Sequence, residues 1–331
     1  MASPFGLAVT NLTSRFGFLS RKACIRLATE TGEKVLARKA ELGRNLNKQE
    51  IEQVFSEIIP KRCRPKVITE DHEVVECLKR LDFSEQQIAE QIKSCNNAAM
   101  VAAVICNGTK KMKLWIPFGR IEKFEGPIRD YIETTQPAFI AHEMEHALEK
   151  NCRIKDIVKR KISKIYLKVK KLFDKDYIEK VNKRQIGVHN FEAKMQECLT
   201  PIAEINGQTG LLQLKCKPTV EGISDYFQQT EGVSLAYKLR HLMRKEYANG
   251  ISTNSETRKR LKLMKFWMDM ERPAYEVTGK IERKIYGLKE NEYAINEAIA
   301  AGYEAAIGVA KQERKTYWLN KILGFFVKKE A

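Results

Sequence analysis

One stretch, residues 139–148, constrains what this chain can be more than any other. It reads Phe-Ile-Ala-His-Glu-Met-Glu-His-Ala-Leu, so His142 and His146 stand four residues apart and Glu143 directly follows the first histidine. On an α-helix this spacing places both imidazoles on one face, one turn apart, where they can hold a single Zn²⁺ ion. Glu143 can then reach a water on that ion as a general base without ligating the metal itself. The stretch therefore predicts a helix that carries two metal ligands and a catalytic carboxylate.

The flanking residues predict the limits of this helix. Pro137 suits a first helical position, and the Thr-Thr-Gln run at residues 134–136 offers candidate N-caps before it. Lys150 and Asn151 suit the end of the helix. We therefore expect a helix from about Pro137 to Asn151.

The charge balance is the unusual part of the composition. The length of 331 residues and the apolar and charged fractions of 43% and 31% are ordinary for one large or two modest soluble domains. The net charge of +17 is not ordinary. It favours acidic partners such as nucleic acid, anionic membrane surfaces or acidic proteins, or it reflects a solvated basic surface. We expect the solvated surface, because charge bears on association and not on fold.

The cysteines and the apolar runs bear on where the protein works. Eight cysteines are scattered without a Cys-x-x-Cys pair, which argues against a zinc ribbon and against the dense disulfide framework of small secreted domains. No run of about 18 apolar residues occurs, so we predict no transmembrane span. The first 29 residues lack Asp and Glu and faintly resemble an organelle transit peptide, although we prefer a mobile N-terminal arm. We expect a cytoplasmic protein with reduced thiols, with organelle import or non-classical export left open.

Two short apolar runs precede residues 139–148. Residues 100–106 form an apolar run, Asn107-Gly108 is a turn dipeptide, and residues 112–118 form a second apolar run. We predict two strands joined by a short turn, with Pro117 tolerated because the second strand lies at a sheet edge. Such an edge could pair with an extended peptide by β-augmentation, or the hairpin is purely structural.

A second informative stretch lies at residues 219–227. Glu221 and Asp225 stand four residues apart, so on a helix they project from the same face. Glu221 can complete a His₂Glu site that leaves a position open for water, the arrangement of catalytic rather than structural zinc. Asp225 can accept a hydrogen bond from the free ring nitrogen of a zinc histidine. Glu271 is the alternative third ligand, and we prefer Glu221 because Asp225 gives it a partner at the correct spacing.

Together the two stretches resemble the thermolysin-like gluzincins, a group of zincin metallopeptidases. The resemblance rests on two motifs, His142-Glu143-x-x-His146 and Glu221-x-x-Ser224-Asp225. It covers the two motif helices and the preceding hairpin, not the whole chain. It implies a Zn²⁺ cofactor and a peptide or protein substrate.

The resemblance also implies a residue that stabilises the transition state. Tyr275 is similar to the tyrosine of some gluzincins that donates a hydrogen bond to the oxyanion. His241 and Tyr226 are alternatives for this role. We therefore add Tyr275 to the predicted catalytic residues.

A basic segment between the motifs determines the predicted domain organisation. Residues 153–184 repeat apolar residues at helical spacing with Lys or Arg between them, and the gap between the motifs is far longer than in thermolysin. We expect an N-terminal helical arm over residues 1–55 and a zincin-like catalytic unit over residues 56–331, with a basic helical insertion at about residues 151–216. The insertion would pack with a wet cationic face or make weak contact with anionic surfaces.

The predicted fold class is α+β, mostly α, in a zincin-like arrangement with a small sheet preceding the active-site helix. The predicted function is hydrolysis of peptide bonds, with Zn²⁺ held by His142, His146 and Glu221. Glu143 would act as the general base. The alternative is an inactive zincin-like scaffold that acts as a basic binding module for nucleic acid, anionic membrane or acidic protein.

Overall fold

Helices make up most of the chain. This computed structural model describes residues 19–79, 85–86, 88–89, 103–105, 113–116, 125–152, 177–205, 212–247 and 255–327. They form long helices and a few three-residue strands, so the predicted class, α+β and mostly α, is confirmed. Within these ranges, no helix is both long enough and apolar enough to cross a membrane.

Contacts within the chain divide it into two compact units. The first unit comprises Met1–Leu167 with Lys280–Ile285, and the second comprises Lys168–Gly279 with Tyr286–Ala331. The sequence-based boundary at residue 55 falls inside the first unit. Residues 153–176 of the predicted basic insertion lie outside the described residues.

The described part of the first unit is built from helices and short strands in a fixed order. These elements are α1 (Arg21–Leu42), α2 (Lys48–Ile58), β1 (Lys66–Ile68), α3 (Asp71–Lys79), β2 (Ala103–Ile105), β3 (Lys113–Trp115) and α4 (Gly126–Cys152). Ser20 caps α1 by accepting a hydrogen bond from the Ala23 amide at 3.1 Å. Asn47 and Glu50 form a capping box at the start of α2. Each cap satisfies amides that a helix leaves without partners in its first turn.

Helix α1 packs against α4, the helix that carries the His-Glu-x-x-His motif. Cys24 and Ala28 are fully buried on α1. Gly32 permits the close approach, since a Cβ atom at this position would lie 2.7 Å from the Cβ atom of Ala141. A side chain at position 32 would therefore push on the residue directly before the first histidine of the motif.

The three strands of the first unit form one mixed sheet in the order β1-β3-β2. The antiparallel pairing of β2 with β3 confirms the predicted hairpin pair. The prediction that the second hairpin strand lies at an edge is wrong, because β1 pairs with the other side of β3 in parallel. This ladder continues where the Ile116 amide donates to the Ile68 carbonyl at 2.9 Å. Pro117 lies outside the described residues.

Three contacts tie the C-terminal end of α4 to earlier segments. Cys152, the last residue of the helix, forms a disulfide with Cys63, and its carbonyl accepts a hydrogen bond from the Leu19 amide at 3.0 Å. Glu149 is buried and pairs with Arg21 at 3.1 Å. The disulfide departs from the predicted set of reduced thiols. Its cysteines are 89 residues apart in sequence, so no local pattern indicates the pair.

The second unit is a helical body around one apolar core. Its described elements are α5 (Tyr177–Leu199), a 3₁₀ turn (Thr200–Ile202), β4 (Ala203–Ile205), β5 (Leu212–Leu214), α6 (Val220–Glu231), α7 (Leu235–Leu242), a π-helical turn (Met243–Tyr247), α8 (Ser255–Ile285) and α9 (Ile295–Val327). The core includes Phe191 of α5, Phe227 of α6 and Tyr303 of α9, all fully buried. Helix α8 is continuous, and its last residues, Lys280–Ile285, count with the first unit.

Candidate metal centre

The motif helix α4 begins well before its predicted start, and Pro137 lies in its interior. An interior proline has no amide to donate to the carbonyl four residues earlier, which here belongs to Glu133. Instead, the ammonium group of Lys39 in α1 donates a hydrogen bond to the Glu133 carbonyl. Burial lowers the pKa of Lys39, and the negative charge of Glu133 opposes that shift. The predicted start at Pro137 is wrong, because α4 begins at Gly126, and α1 supplies a donor for the carbonyl that Pro137 leaves without one.

Two residues of α4 and one residue of α8 form a group that could hold a metal ion. His142, His146 and Glu271 each offer one ligand atom, and these atoms lie within 4.8 Å of one another. The centroids of the two imidazole rings are 5.0 Å apart, and their planes meet at 85°. The three residues are 9%, 7% and 8% exposed. Two imidazoles and one carboxylate are a donor set that catalytic zinc uses, so the residues fit a zinc ion.

Glu143 follows the first histidine and is not part of this group. It is half-buried, whereas the three residues of the group are buried. A general base must lie close to the metal-bound water without being consumed as a ligand. Its place in the chain suits that role, and the role itself stays a prediction.

Glu145 is a functional candidate that the sequence interpretation missed. It is fully buried, and its Oε2 atom lies 3.5 Å from Nδ1 of His146. A carboxylate at Nδ1 favours the imidazole tautomer whose Nε2 carries the lone pair for a metal. The sequence did hold a signal. Glu145 stands at helical spacing from Ala141 and Leu148, which are core residues, and a carboxylate buried among them needs a polar partner.

The structure does not bring Glu221 or Asp225 into the group. Both are exposed on α6, where Thr219 is the N-cap and accepts a hydrogen bond from the Gly222 amide at 3.0 Å. Glu221 lies in the first turn of α6, where a negative charge interacts favourably with the helix dipole. Ser224 accepts a hydrogen bond from the Leu235 amide at 3.4 Å. The second motif therefore has a local explanation as the start of a capped helix, and the third member of the group is the alternative, Glu271.

Tyr275 lies four residues after Glu271 on α8, inside the second unit. Its hydroxyl accepts a hydrogen bond from Gln196 at 3.2 Å, and its ring lies 5.1 Å from that of Tyr303. Burial raises the pKa of Tyr275, and the charges of Glu192 and Glu271 raise it further. Its role as oxyanion donor stays a prediction.

The two alternative donors have other surroundings. The hydroxyl of Tyr226 donates to the Pro201 carbonyl at 3.0 Å, and His241 is exposed on α7. Neither belongs to the metal-ligand group. Both alternatives stay predictions without support from this geometry.

Comparisons with family models, curated proteins and solved structures find no match to this chain. The likeness to gluzincins therefore rests only on the motif residues. What the site can do has to be inferred from its own geometry.

Proposed function

We propose that this protein is a zinc-dependent metallopeptidase. The observation that supports the proposal is the buried group of His142, His146 and Glu271, whose ligand atoms lie within 4.8 Å of one another. Two imidazoles and one carboxylate can bind Zn²⁺ and leave a coordination position open, which is typical of catalytic zinc. The third ligand in this proposal is Glu271 and not Glu221.

Each residue has a separate task in the proposed reaction. When bound, Zn²⁺ would polarise the scissile carbonyl and lower the pKa of a water molecule. The two histidines and Glu271 hold the ion. Glu143 takes a proton from the attacking water and passes it to the leaving amine. Glu145, whose Oε2 atom lies 3.5 Å from Nδ1 of His146, favours the tautomer that leaves Nε2 of that ring free for the ion.

Metal analysis and a peptide-cleavage assay test the proposal together. The purified chain should contain one zinc ion and cleave a mixture of peptides until a chelator removes the metal. Glu143→Gln should keep the zinc and lose turnover by roughly 10²- to 10⁴-fold, because the amide cannot accept the proton of the water. Glu133→Gln is the matched control on the same helix, because the Glu133 carboxylate accepts a hydrogen bond from Arg129 at 2.8 Å. This variant should change neither the zinc content nor the rate of peptide cleavage.

The net charge of +17 favours a second candidate function, a zincin-like scaffold without turnover that binds anionic partners. A chain that holds zinc but cleaves no peptide would refute the peptidase and support this candidate. Binding to DNA or to anionic vesicles should then weaken steeply with added salt. The same titration tests the predicted weak contact of the basic segment with anionic surfaces.

The cytoplasmic location stays a prediction, and the Cys63–Cys152 disulfide makes it testable. A reducing compartment would keep these two cysteines as thiols. Both cysteines are buried, so thiols are trapped by acid quenching of the cells and alkylated after denaturation; peptide mapping should then show both cysteines labelled if the location is cytoplasmic. Protection of both from alkylation would indicate an oxidising compartment.

A further inference from the structure

Glu271 stands between two hydrogen-bonded anchors on α8. Four residues before it, the indole nitrogen of Trp267 donates to Glu192 of α5 at 3.2 Å. Four residues after it, the hydroxyl of Tyr275 accepts from Gln196 of α5 at 3.2 Å. Trp267, Glu271 and Tyr275 follow one another at one-turn spacing, and so do Glu192 and Gln196. The helix turn that carries Glu271 is therefore fixed to α5 on both sides.

Glu192 joins these anchors to a third helix. Its carboxylate accepts from Trp267 and also from the hydroxyl of Tyr303 on α9. Its Oε2 atom lies 3.5 Å from Nδ1 of His189, whose ring meets the Trp267 ring edge-on at 4.6 Å. A carboxylate that is largely withdrawn from water needs such donors. One side chain thus holds three neighbours in a single arrangement.

The charges of Glu192 and Glu271 act on the same two tyrosines. Burial raises the pKa of Tyr303 and of Tyr275, and the charges of both Glu192 and Glu271 add to the shift at each tyrosine. The rings of Tyr275 and Tyr303 lie 5.1 Å apart. Both carboxylates therefore lie close enough to this pair of phenols to affect its titration.

We propose that Glu192 is a positioning residue for the metal ligand Glu271. By holding Trp267 and Tyr303 it fixes the rotation of α8 about its axis, and hence the direction in which Glu271 presents its carboxylate. A helix side chain ends about 5–6 Å from the helix axis, so a rotation of about 10° moves it by about 1 Å. Metal–ligand distances tolerate only about 0.2 Å. The inference rests on the proposed function only in taking Glu271 as a ligand.

Cobalt binding to the full chain tests this role without any measurement of turnover. Glu192→Gln should weaken Co²⁺ binding about 10- to 100-fold, the usual cost of losing an outer partner, and should alter the visible spectrum of the bound ion. Glu197→Gln is the matched control, since Glu197 lies on the same helix, is exposed and pairs with Lys194 at 2.7 Å. It should bind Co²⁺ with the affinity and the spectrum of the wild type.

A double-variant cycle separates positioning from general loss of structure. If Glu192 acts through Glu271, adding Glu192→Gln to Glu271→Ala should cost no further affinity, because the ligand that it positions is already gone. If Glu192 only supports the fold, the two losses should add. Additive losses, or wild-type affinity and spectrum in Glu192→Gln, would overturn the inference.

Two further variants keep the test decisive if Glu192→Gln does not fold. Trp267→Phe and Tyr303→Phe each remove one donor to Glu192 and keep an aromatic ring in place. Each should shift the cobalt spectrum in the same direction as Glu192→Gln by a smaller amount, and an unchanged spectrum in both would contradict the inference. A wild-type chain that binds Co²⁺ but cleaves no peptide would refute the peptidase alone, whereas one that binds no Co²⁺ would overturn both.

Discussion

Two helices of the second unit carry a glutamate that the sequence could assign to the metal, Glu221 on α6 and Glu271 on α8. Glu221 is exposed in the first turn of its helix, where water and the helix dipole both stabilise its charge. Glu271 is 8% exposed in the interior of its helix. A buried carboxylate is costly unless a partner or a cation offsets its desolvation. Burial, and not the spacing of a neighbouring acid, distinguishes the candidate ligand from the surface charge.

The residues four positions further along each helix differ in the same way. Asp225 is exposed beyond Glu221. Tyr275, beyond Glu271, is enclosed by Gln196 and Tyr303. Both helices satisfy the spacing of a ligand followed by a polar partner. The pattern alone therefore cannot choose between them, and the environment can.

Equal effects of removing Glu221 and Glu271 on zinc affinity would contradict this comparison. Glu271→Ala deletes one of the three candidate ligand atoms and should lower zinc affinity by more than the roughly 100-fold that loss of an outer partner costs. Glu221→Ala should leave the affinity unchanged, because its carboxylate is outside the group. Competition with a fluorescent zinc chelator measures both. The opposite ranking would restore Glu221 as the ligand.

A second pair of variants sharpens the comparison at the partner of a candidate ligand, His146. Glu145→Gln should weaken zinc binding about 10- to 100-fold, because the amide no longer offers a charge to Nδ1 of His146. Asp225→Asn, the residue first predicted for this task, should bind zinc like the wild type because it is exposed on α6. The same competition with a zinc chelator measures the zinc affinity of both variants. Equal effects of the two variants on zinc affinity would mean that burial does not determine which carboxylate supports the histidine.

The rule that buried polar groups need partners can also be tested away from the metal. Lys39→Met removes the donor to the Glu133 carbonyl and should lower the free energy of unfolding by about 1 kcal/mol. In a Pro137→Ala background the restored amide should satisfy that carbonyl, so the loss should vanish. Urea unfolding followed by tryptophan fluorescence measures the cycle.

Lys34→Met is the control for this cycle. Lys34 lies on the same helix and pairs with Glu57 at 3.3 Å while 45% exposed, so its loss should have little effect on stability in either background. Equal losses for Lys39→Met with and without Pro137 would show that the carbonyl does not depend on Lys39.

Short-range patterns predicted much of this structure. The helix of His142 and His146, the antiparallel hairpin pair and the mostly helical class all follow from spacing, turn dipeptides and periodicity within a few residues. Such patterns involve residues that are close together in sequence, so they can be recognised before the fold is known.

The remaining features depend on residues that are distant in sequence. The carbonyl left without an amide by Pro137 is satisfied by Lys39 from another helix, and the central place of β3 results from pairing with the parallel strand β1. The grouping of Glu271 with the histidines depends on which of two similar helices the fold brings to them. Local spacing carries no information about any of these partners.

The bond between Cys63 and Cys152 turns the intervening chain into a closed covalent ring. The ring holds the three strands of the first sheet and the whole of α4, including both imidazoles of the metal-ligand group. A single cut of the backbone inside the ring opens it but releases no fragment. A chain that clipped itself there would run as one band on a gel without reductant and as two bands with it. Both imidazoles would stay on one connected molecule after the cut.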